Sequence, residues 1–268
     1  MNKLNFAFFG TPEVASETLQ ILKENGYLPS LIVTSIDKPK GRKLIMTPPP
    51  AKLWAIENNI PYIQPEKISE QTFDQYDLFI VVAYGKILPE RIINAPRLGS
   101  INIHYSLLPK YRGASPVESA ILNGEKVTGV TIQQMAYEMD SGPILARETT
   151  EIDPEETAPS LRKRLIELGG NLLVKILPDL VEQKISPSSQ NEADATFCKK
   201  IKKEDGQIDP ALDPTLNYNK FRAYAEWPRT FFFKDGKRII ITKAKLENGL
   251  FVIEKVIPEG GKEKDYTL

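Results

Sequence analysis

His104 is the only histidine in the chain, so any acid–base step assigned to an imidazole near neutral pH runs through it. It lies in Ser100-Ile101-Asn102-Ile103-His104-Tyr105-Ser106-Leu107-Leu108-Pro109-Lys110-Tyr111-Arg112-Gly113. The first residues of that run read as a strand, which puts Asn102 and His104, two apart, on one face. An amide beside an imidazole suits a carbonyl substrate: the amide donates to a developing oxyanion and the imidazole moves a proton or adds charge. The Leu107-Leu108-Pro109 loop leaves the carboxyl end of the strand, where open α/β sheets hold their ligands. Asp140, in Met139-Asp140-Ser141-Gly142-Pro143, stands in a turn between two strands and could orient a histidine or a water. Taken alone, the Asn-x-His pair also fits a hydrogen-bonded histidine at a strand end, and Asp140 an ordinary turn residue.

These residues need a sheet to carry them. Leu4–Phe9 is an apolar strand closed by Gly10-Thr11-Pro12, and Glu13–Glu24 follows with helical spacing and an Asn25-Gly26 stop. Leu28–Thr34, Leu78–Val82 and Ser100–Ile103 are further strands, separated by helical patterns. Alternation of this kind predicts an α/β fold with a doubly wound, mostly parallel sheet. Thr128–Met135 and Ile144–Thr149 read as an antiparallel pair around the Asp140 turn. Ala158–Gln183 reads as a long closing helix weakened in its middle by Gly169-Gly170. After a polar connector, Ile185–Glu204, comes a short helical stretch ending at Trp227-Pro228. The runs Thr230–Phe233, Arg238–Lys245 and Leu250–Val256, bounded by Asp235-Gly236 and Asn248-Gly249, then form a β-meander of about three strands. The expected division is a catalytic domain over 1–184, a linker over 185–204 and a small β domain over 205–268.

Composition narrows the chemistry. With 41% hydrophobic and 26% charged residues among 268, the chain has the profile of a folded globular protein. Cys198 is the only cysteine, so no internal disulfide forms and a zinc centre is not expected. The amino-terminal apolar run is too short for a signal peptide, and no stretch approaches a membrane span, which points to the cytoplasm. The net charge is zero, with residues 1–198 four charges negative and 199–268 four charges positive, an excess that a solvated surface explains as readily as a polyanion does. The Phe9-Gly10-Thr11-Pro12-Glu13 turn lacks the later glycines of a dinucleotide fingerprint and no Gly-Lys-Ser/Thr loop occurs, so NAD and P-loop chemistry are not expected.

Taken together, Asn102-Ile103-His104, Ser106 to Gly113, Thr128-Gly129-Val130-Thr131 and Met139 to Pro143 resemble the 10-formyltetrahydrofolate-dependent formyltransferases. Phe9 to Ala15, Asp37-Lys38-Pro39-Lys40-Gly41-Arg42, Lys200 to Gly206 with Ile208-Asp209, and Phe221-Arg222-Ala223 with Trp227-Pro228 resemble the branch that acts in translation initiation, on the methionyl group of initiator tRNA. The resemblance implies a Rossmann-like catalytic domain and a C-terminal β domain of the oligonucleotide-binding type, here abbreviated. It implies a monomeric enzyme in which the methionyl α-amine attacks the formyl carbon directly, with 10-formyltetrahydrofolate as co-substrate and no metal. Asn102 would hold the formyl oxygen, His104 stabilise the oxyanion or relay the proton, and Asp140 orient His104. The pterin would lie against Val82, Tyr84, Lys86, Ile87 and Leu88 and against Tyr137 and Glu138, bonded largely through backbone groups. The loop Lys38–Pro50, with Lys38, Lys40, Arg42 and Lys43, would meet the tRNA acceptor stem together with Gly113. Four cations and no apolar anchor suit a mobile phosphate-binding segment. Formylation of an amino-sugar nucleotide by the same chemistry is the alternative acceptor, and a non-catalytic RNA-binding protein on the same fold is the alternative of another class.

Overall fold

The computed structural model describes residues 4–41 and 43–267. In chain order the strands and helices are β1 (Phe6–Gly10), α1 (Glu13–Glu24), β2 (Leu31–Val33), β3 (Lys38–Lys40), β4 (Ile45–Thr47), α2 (Pro50–Glu57), β5 (Tyr62–Ile63), β6 (Leu78–Val82), α3 (Glu90–Ile93), β7 (Ser100–His104), β8 (Arg112–Gly113), α4 (Pro116–Leu122), β9 (Val127–Gln134), β10 (Ile144–Glu151), α5 (Ala158–Val181), β11 (Phe197–Cys198), α6 (Pro214–Ala223), β12 (Phe231–Lys234), β13 (Lys237–Glu247), β14 (Leu250–Pro258) and β15 (Lys264–Asp265). Two compact units arise: Met1–Arg112, Gly129–Glu148 and Leu165–Ala195 make one, and Gly113–Thr128, Thr149–Arg164 and Thr196–Leu268 the other. Among the described residues no helix is long and apolar enough to cross a membrane.

The large sheet has the order β10-β9-β7-β6-β1-β2-β5. The pairs β1/β2, β1/β6, β2/β5 and β6/β7 are parallel, and β9 runs antiparallel to β7. Strands β1 and β6 are apolar throughout and buried throughout, the signature of parallel strands covered on both faces. On one face Ala7, Phe9, Phe79 and Val81 join Phe73, Tyr84, Leu88 and Ile92 in a single cluster, while Phe6, Phe8 and Ile80, pointing the other way by the two-residue period, are also fully buried. Each such side chain contributes about 1.5–3 kcal/mol of burial. This core fixes the height at which β6 and β7 end, and their ends carry the candidate site.

The glycine pair of the long helix does not interrupt it. Helix α5 is continuous, and a Cβ at Gly169 would come 3.0 Å from Ile103 Cγ2, one at Gly170 2.6 Å from Ile21 Cδ1. The pair lets the helix backbone pack closely on β7 and α1, so the propensity lost in the helix is exchanged for close packing.

In the second unit β12, β13, β14 and β15 form a four-stranded antiparallel sheet, one short strand more than the meander predicted. Both hairpin signals are as expected: Asp235 and Gly236 have φ 51° and 73°, Asn248 and Gly249 φ 51° and 76°, the left-handed pairs that two-residue hairpins demand. Ile208, Phe232 and Ile241 are its buried core.

Candidate active site

Asn102 lies opposite Val81 of β6 on one side and Gln133 of β9 on the other. Its Nδ2 donates to the Val81 carbonyl at 3.0 Å and its Oδ1 accepts from Gln133 Nε2 at 3.3 Å. The two bonds fix which end of the amide faces which strand and leave the second N–H of Nδ2 for another acceptor. His104, two residues on and 6% exposed, has Nε2 2.9 Å from the Tyr111 carbonyl and Nδ1 3.5 Å from Asp140 Oδ2. Both ring nitrogens thus face acceptor oxygens, one neutral and one anionic. Gln133 Nε2 also donates to Asp140 Oδ1 at 2.9 Å, so Gln133 joins Asn102 to Asp140 by hydrogen bonds and the Asp140 carboxylate in turn lies 3.5 Å from His104.

Two loops hold the set. The segment after β7 is fastened to β9 by Thr131, whose hydroxyl donates to the Ser106 carbonyl at 2.7 Å and accepts from Leu108 N–H at 3.1 Å. Arg147 of β10 donates to the Leu108 carbonyl at 3.0 Å, and the Leu108 side chain is fully buried. Tyr111, at φ 60°, turns its carbonyl onto His104. The Asp140 turn is the second loop. Asp140 is at φ 53°, and a Cβ on Gly142 would sit 1.8 Å from the Gln134 carbonyl oxygen, so only glycine allows the turn to lie this close to β9.

A third segment enters where the sequence predicted a connector. Gln190 Nε2 donates to the carbonyls of Asp140 and Gly142, both at 2.8 Å. Its Oε1 accepts from Arg112 Nε at 3.1 Å and Nη2 at 2.8 Å. Arg112, with a side chain 3% exposed, forks onto Glu192 through Nη1–Oε2 at 2.8 Å and Nη2–Oε1 at 2.7 Å. The hydrogen-bonded carboxylate raises the guanidinium pKa, and the guanidinium holds the Glu192 carboxyl below the usual range. Sequence reasoning singled out none of Gln133, Gln190, Arg112 or Glu192 as site residues. The strand alternation that found Asn102 also places Gln133 on that face, whereas nothing in the sequence points to Gln190.

The expected pterin-binding residues divide by exposure. The side chains of Val82, Tyr84 and Leu88 are buried, and burial pushes the Tyr84 hydroxyl up to about 12, so this stretch presents backbone there. Ala83 and Gly85, both exposed, have φ 48° and 79°, and Ile87 is 78% exposed. A strip of reachable backbone with one open aliphatic side chain, leaving β6 beside Asn102, fits a flat heteroaromatic ring bonded through main-chain groups. Lys86 Nζ is occupied by the Pro65 carbonyl at 2.8 Å. In the opposite turn Tyr137 and Glu138 are exposed, as is Met139.

The cationic loop is a β3/β4 hairpin with Lys38 opposite Thr47 and Lys40 opposite Ile45. Lys38, Lys40 and Lys43 are exposed; Arg42 lies outside the described residues. The loop carries three apolar side chains that the sequence reading passed over, Leu44, Ile45 and Met46, but at 71%, 63% and 59% exposed none of them is buried against the body. The approach to the hairpin is pinned by Lys52 Nζ on Asp37 at 2.8 Å. Gly113, at φ 118°, leaves a built Cβ only 2.2 Å from the Cys198 carbonyl oxygen, so local packing alone requires glycine there.

Comparison with known proteins matches this arrangement to one family. The formyl transferase domain pattern covers residues 3–177 and its C-terminal domain pattern residues 200–262. Methionyl-tRNA formyltransferase of Thermotoga maritima is 43% identical over 231 residues, covering 84% of this chain and 74% of that protein; that of Caldicellulosiruptor saccharolyticus is 39% identical over 256, covering 91% and 82%. Among solved structures, methionyl-tRNA formyltransferase from Clostridium thermocellum superposes with TM-score 0.63 at 18% identity, covering 98% of this chain and 100% of that one. The N-formyltransferase from Helicobacter canadensis, in complex with folinic acid and dTDP-3-aminofucose, gives 0.71 at 20% identity, covering 91% and 88%. At those identities the two structures establish the fold, while the matched patterns and the two relatives establish that the chain belongs to the formyl transferase family.

Proposed function

We propose that this chain transfers the formyl group of 10-formyltetrahydrofolate to the α-amine of methionyl-tRNA. The reading is carried by the contiguous polar set Asn102–Gln133–Asp140–His104 at the carboxyl end of β7, and is supported by relatives of that name at about 40% identity.

When bound, the folate supplies a formyl carbon activated on N10. Ala83–Leu88 and the Tyr137–Met139 turn would hold its ring through backbone and exposed apolar groups. Asn102, with one N–H already given to Val81, uses the other to meet the negative charge that builds on the formyl oxygen; donors fixed before the charge appears lower the barrier most. The attacking amine must lose a proton and the departing nitrogen must gain one. His104 holds that proton with the Asp140 carboxylate beside it, and Gln133 keeps the carboxylate from turning away. Lys38, Lys40 and Lys43 of the hairpin neutralise backbone phosphates of the acceptor stem, with Arg42 joining them on the reading of its sequence.

The test is acceptor choice with purified protein, comparing charged initiator tRNA with a dTDP-linked amino sugar at equal donor concentration. Formylmethionyl-tRNA as the preferred product supports the proposal. Preferred formylation of the amino sugar moves the reading to the alternative acceptor, and no folate-dependent transfer to either refutes it.

A further inference from the structure

We infer that Gln190 and Arg112 are positioning residues for the reaction, acting on His104 through the Asp140 turn; this rests on the functional reading above. Asp140 lies in the left-handed region, φ 53°, which aspartate tolerates better than most residues but which does not by itself fix where the turn sits. Gly142 lets the turn approach β9, but close approach by itself sets no direction for the Asp140 carboxylate. Gln133 holds the carboxylate itself, and the backbone that carries it is held by Gln190, whose Nε2 spans the carbonyls on either side of Ser141, at 2.8 Å each.

Gln190 in turn cannot rotate. Its Oε1 takes two N–H groups of Arg112, and a flipped amide would set donors against donors. Arg112 is buried, and its desolvation is offset by a forked pair with exposed Glu192. Such an arrangement is more than a connector needs. Arg112 also follows Tyr111, whose carbonyl takes His104 Nε2. The same guanidinium therefore governs both contacts of the imidazole, Nε2 through its chain neighbour and Nδ1 through Gln190 and Asp140.

Gln190→Glu removes the donor, and because the negative charge it adds would move His104 in the Asp140→Asn background as well, the double variant separates the two effects. The substitution keeps an oxygen for Arg112 while replacing the donor by an oxygen that faces two carbonyls. Because His104 is the only histidine, its ring-proton NMR signal titrates without overlap and reports on the clamp with no need for turnover. The expected result is a displaced titration midpoint in Gln190→Glu and in Asp140→Asn, with no further displacement in the double variant. In the transfer assay kcat falls about 10- to 100-fold while KM for the formyl donor stays within about threefold, the mark of misplacement rather than lost binding. In the Asp140→Asn background Gln190→Glu should cost less than about threefold, because both changes act on one contact. Arg112→Lys, which cannot fork to both partners, should displace the midpoint likewise, and it carries the test if Gln190→Glu does not fold. An unmoved His104 midpoint, or effects of Gln190→Glu and Asp140→Asn that multiply, overturns the inference. A wild type inactive on every acceptor refutes the functional reading instead, and the titration still decides whether the clamp acts on His104.

Discussion

Replacing Asp140 by asparagine removes one charge and almost nothing else. Asparagine tolerates the left-handed backbone that the residue adopts at φ 53°, so the turn is expected to survive. The Gln133 bond, 2.9 Å in the wild type, survives too if the asparagine oxygen faces Gln133. The amide nitrogen then faces His104 Nδ1 and donates to it, so the ring can no longer hold a proton on that nitrogen. The lost interaction is sized by the 3.5 Å separation: at an effective dielectric of about 20, a full charge pair at that distance is worth roughly 5 kcal/mol. If about half a charge develops on the ring as transfer peaks, ~2 kcal/mol disappears from the barrier term, which is about 30- to 100-fold in kcat. Single-turnover formyl transfer at saturating donor, with the thermal midpoint measured in parallel, reads the effect. A variant that folds normally and turns over within about fivefold of wild type would remove Asp140 from the mechanism.

Alanine at Lys38, Lys40 and Lys43 together should weaken methionyl-tRNA binding and reduce the slope of log K against log salt by about two to three, while leaving folate binding unchanged; an unchanged slope removes the hairpin from the tRNA contact. Gly142→Ala, whose Cβ would lie 1.8 Å from the Gln134 carbonyl oxygen, should cost roughly 2 kcal/mol or more in denaturant unfolding, and a neutral effect would mean the turn lies farther from β9. Glu192 titrates below its ordinary value because Arg112 is hydrogen-bonded to it, so the pair stabilises the fold above the unfolded-state value and loses that contribution as pH falls through the depressed one. Glu192→Gln should therefore lower Tm at pH 7 and leave it unchanged in acid below the glutamate range, as a thermal-melt series across that range would show.

The parts of the site that were legible in the sequence are those that follow from a local period or a charge. Asn102 and His104 share a face because strands alternate, and Asp140 stands out as a carboxylate in a turn flanked by strands. The doubly wound sheet followed from the alternation of apolar strands such as β1 and β6 with helical stretches, and Asp235-Gly236 and Asn248-Gly249 each prescribe their own turn. What was not legible depends on distance along the chain. Gln190 reaches the site from a polar, weakly periodic stretch, and no pattern tells a glutamine that bonds two carbonyls from one in solvent. Gly169-Gly170 was legible only as a weak point because helix propensity is local, whereas the contacts that favour glycine there are Ile103 and Ile21, far away in sequence. The exposure of Leu44, Ile45 and Met46 was missed for a related reason: burial belongs to the fold, and the neighbouring lysines drew the reading toward charge.

The Arg112–Gln190–Glu192 clamp also sets an order in the life of the chain. Asn102, His104 and Asp140 are all synthesised well before residue 190, and the large sheet needs nothing C-terminal to β10 for its strands. A nascent chain can therefore have all its sheet strands and still lack the side chain that holds the Asp140 turn, so full activity would come only after Gln190 and Glu192 have emerged and docked. Full competence is then reached late in synthesis, and a chain that ends before Gln190 would carry all three chemical groups, with Gln133 between Asn102 and Asp140, but without the clamp on the Asp140 turn.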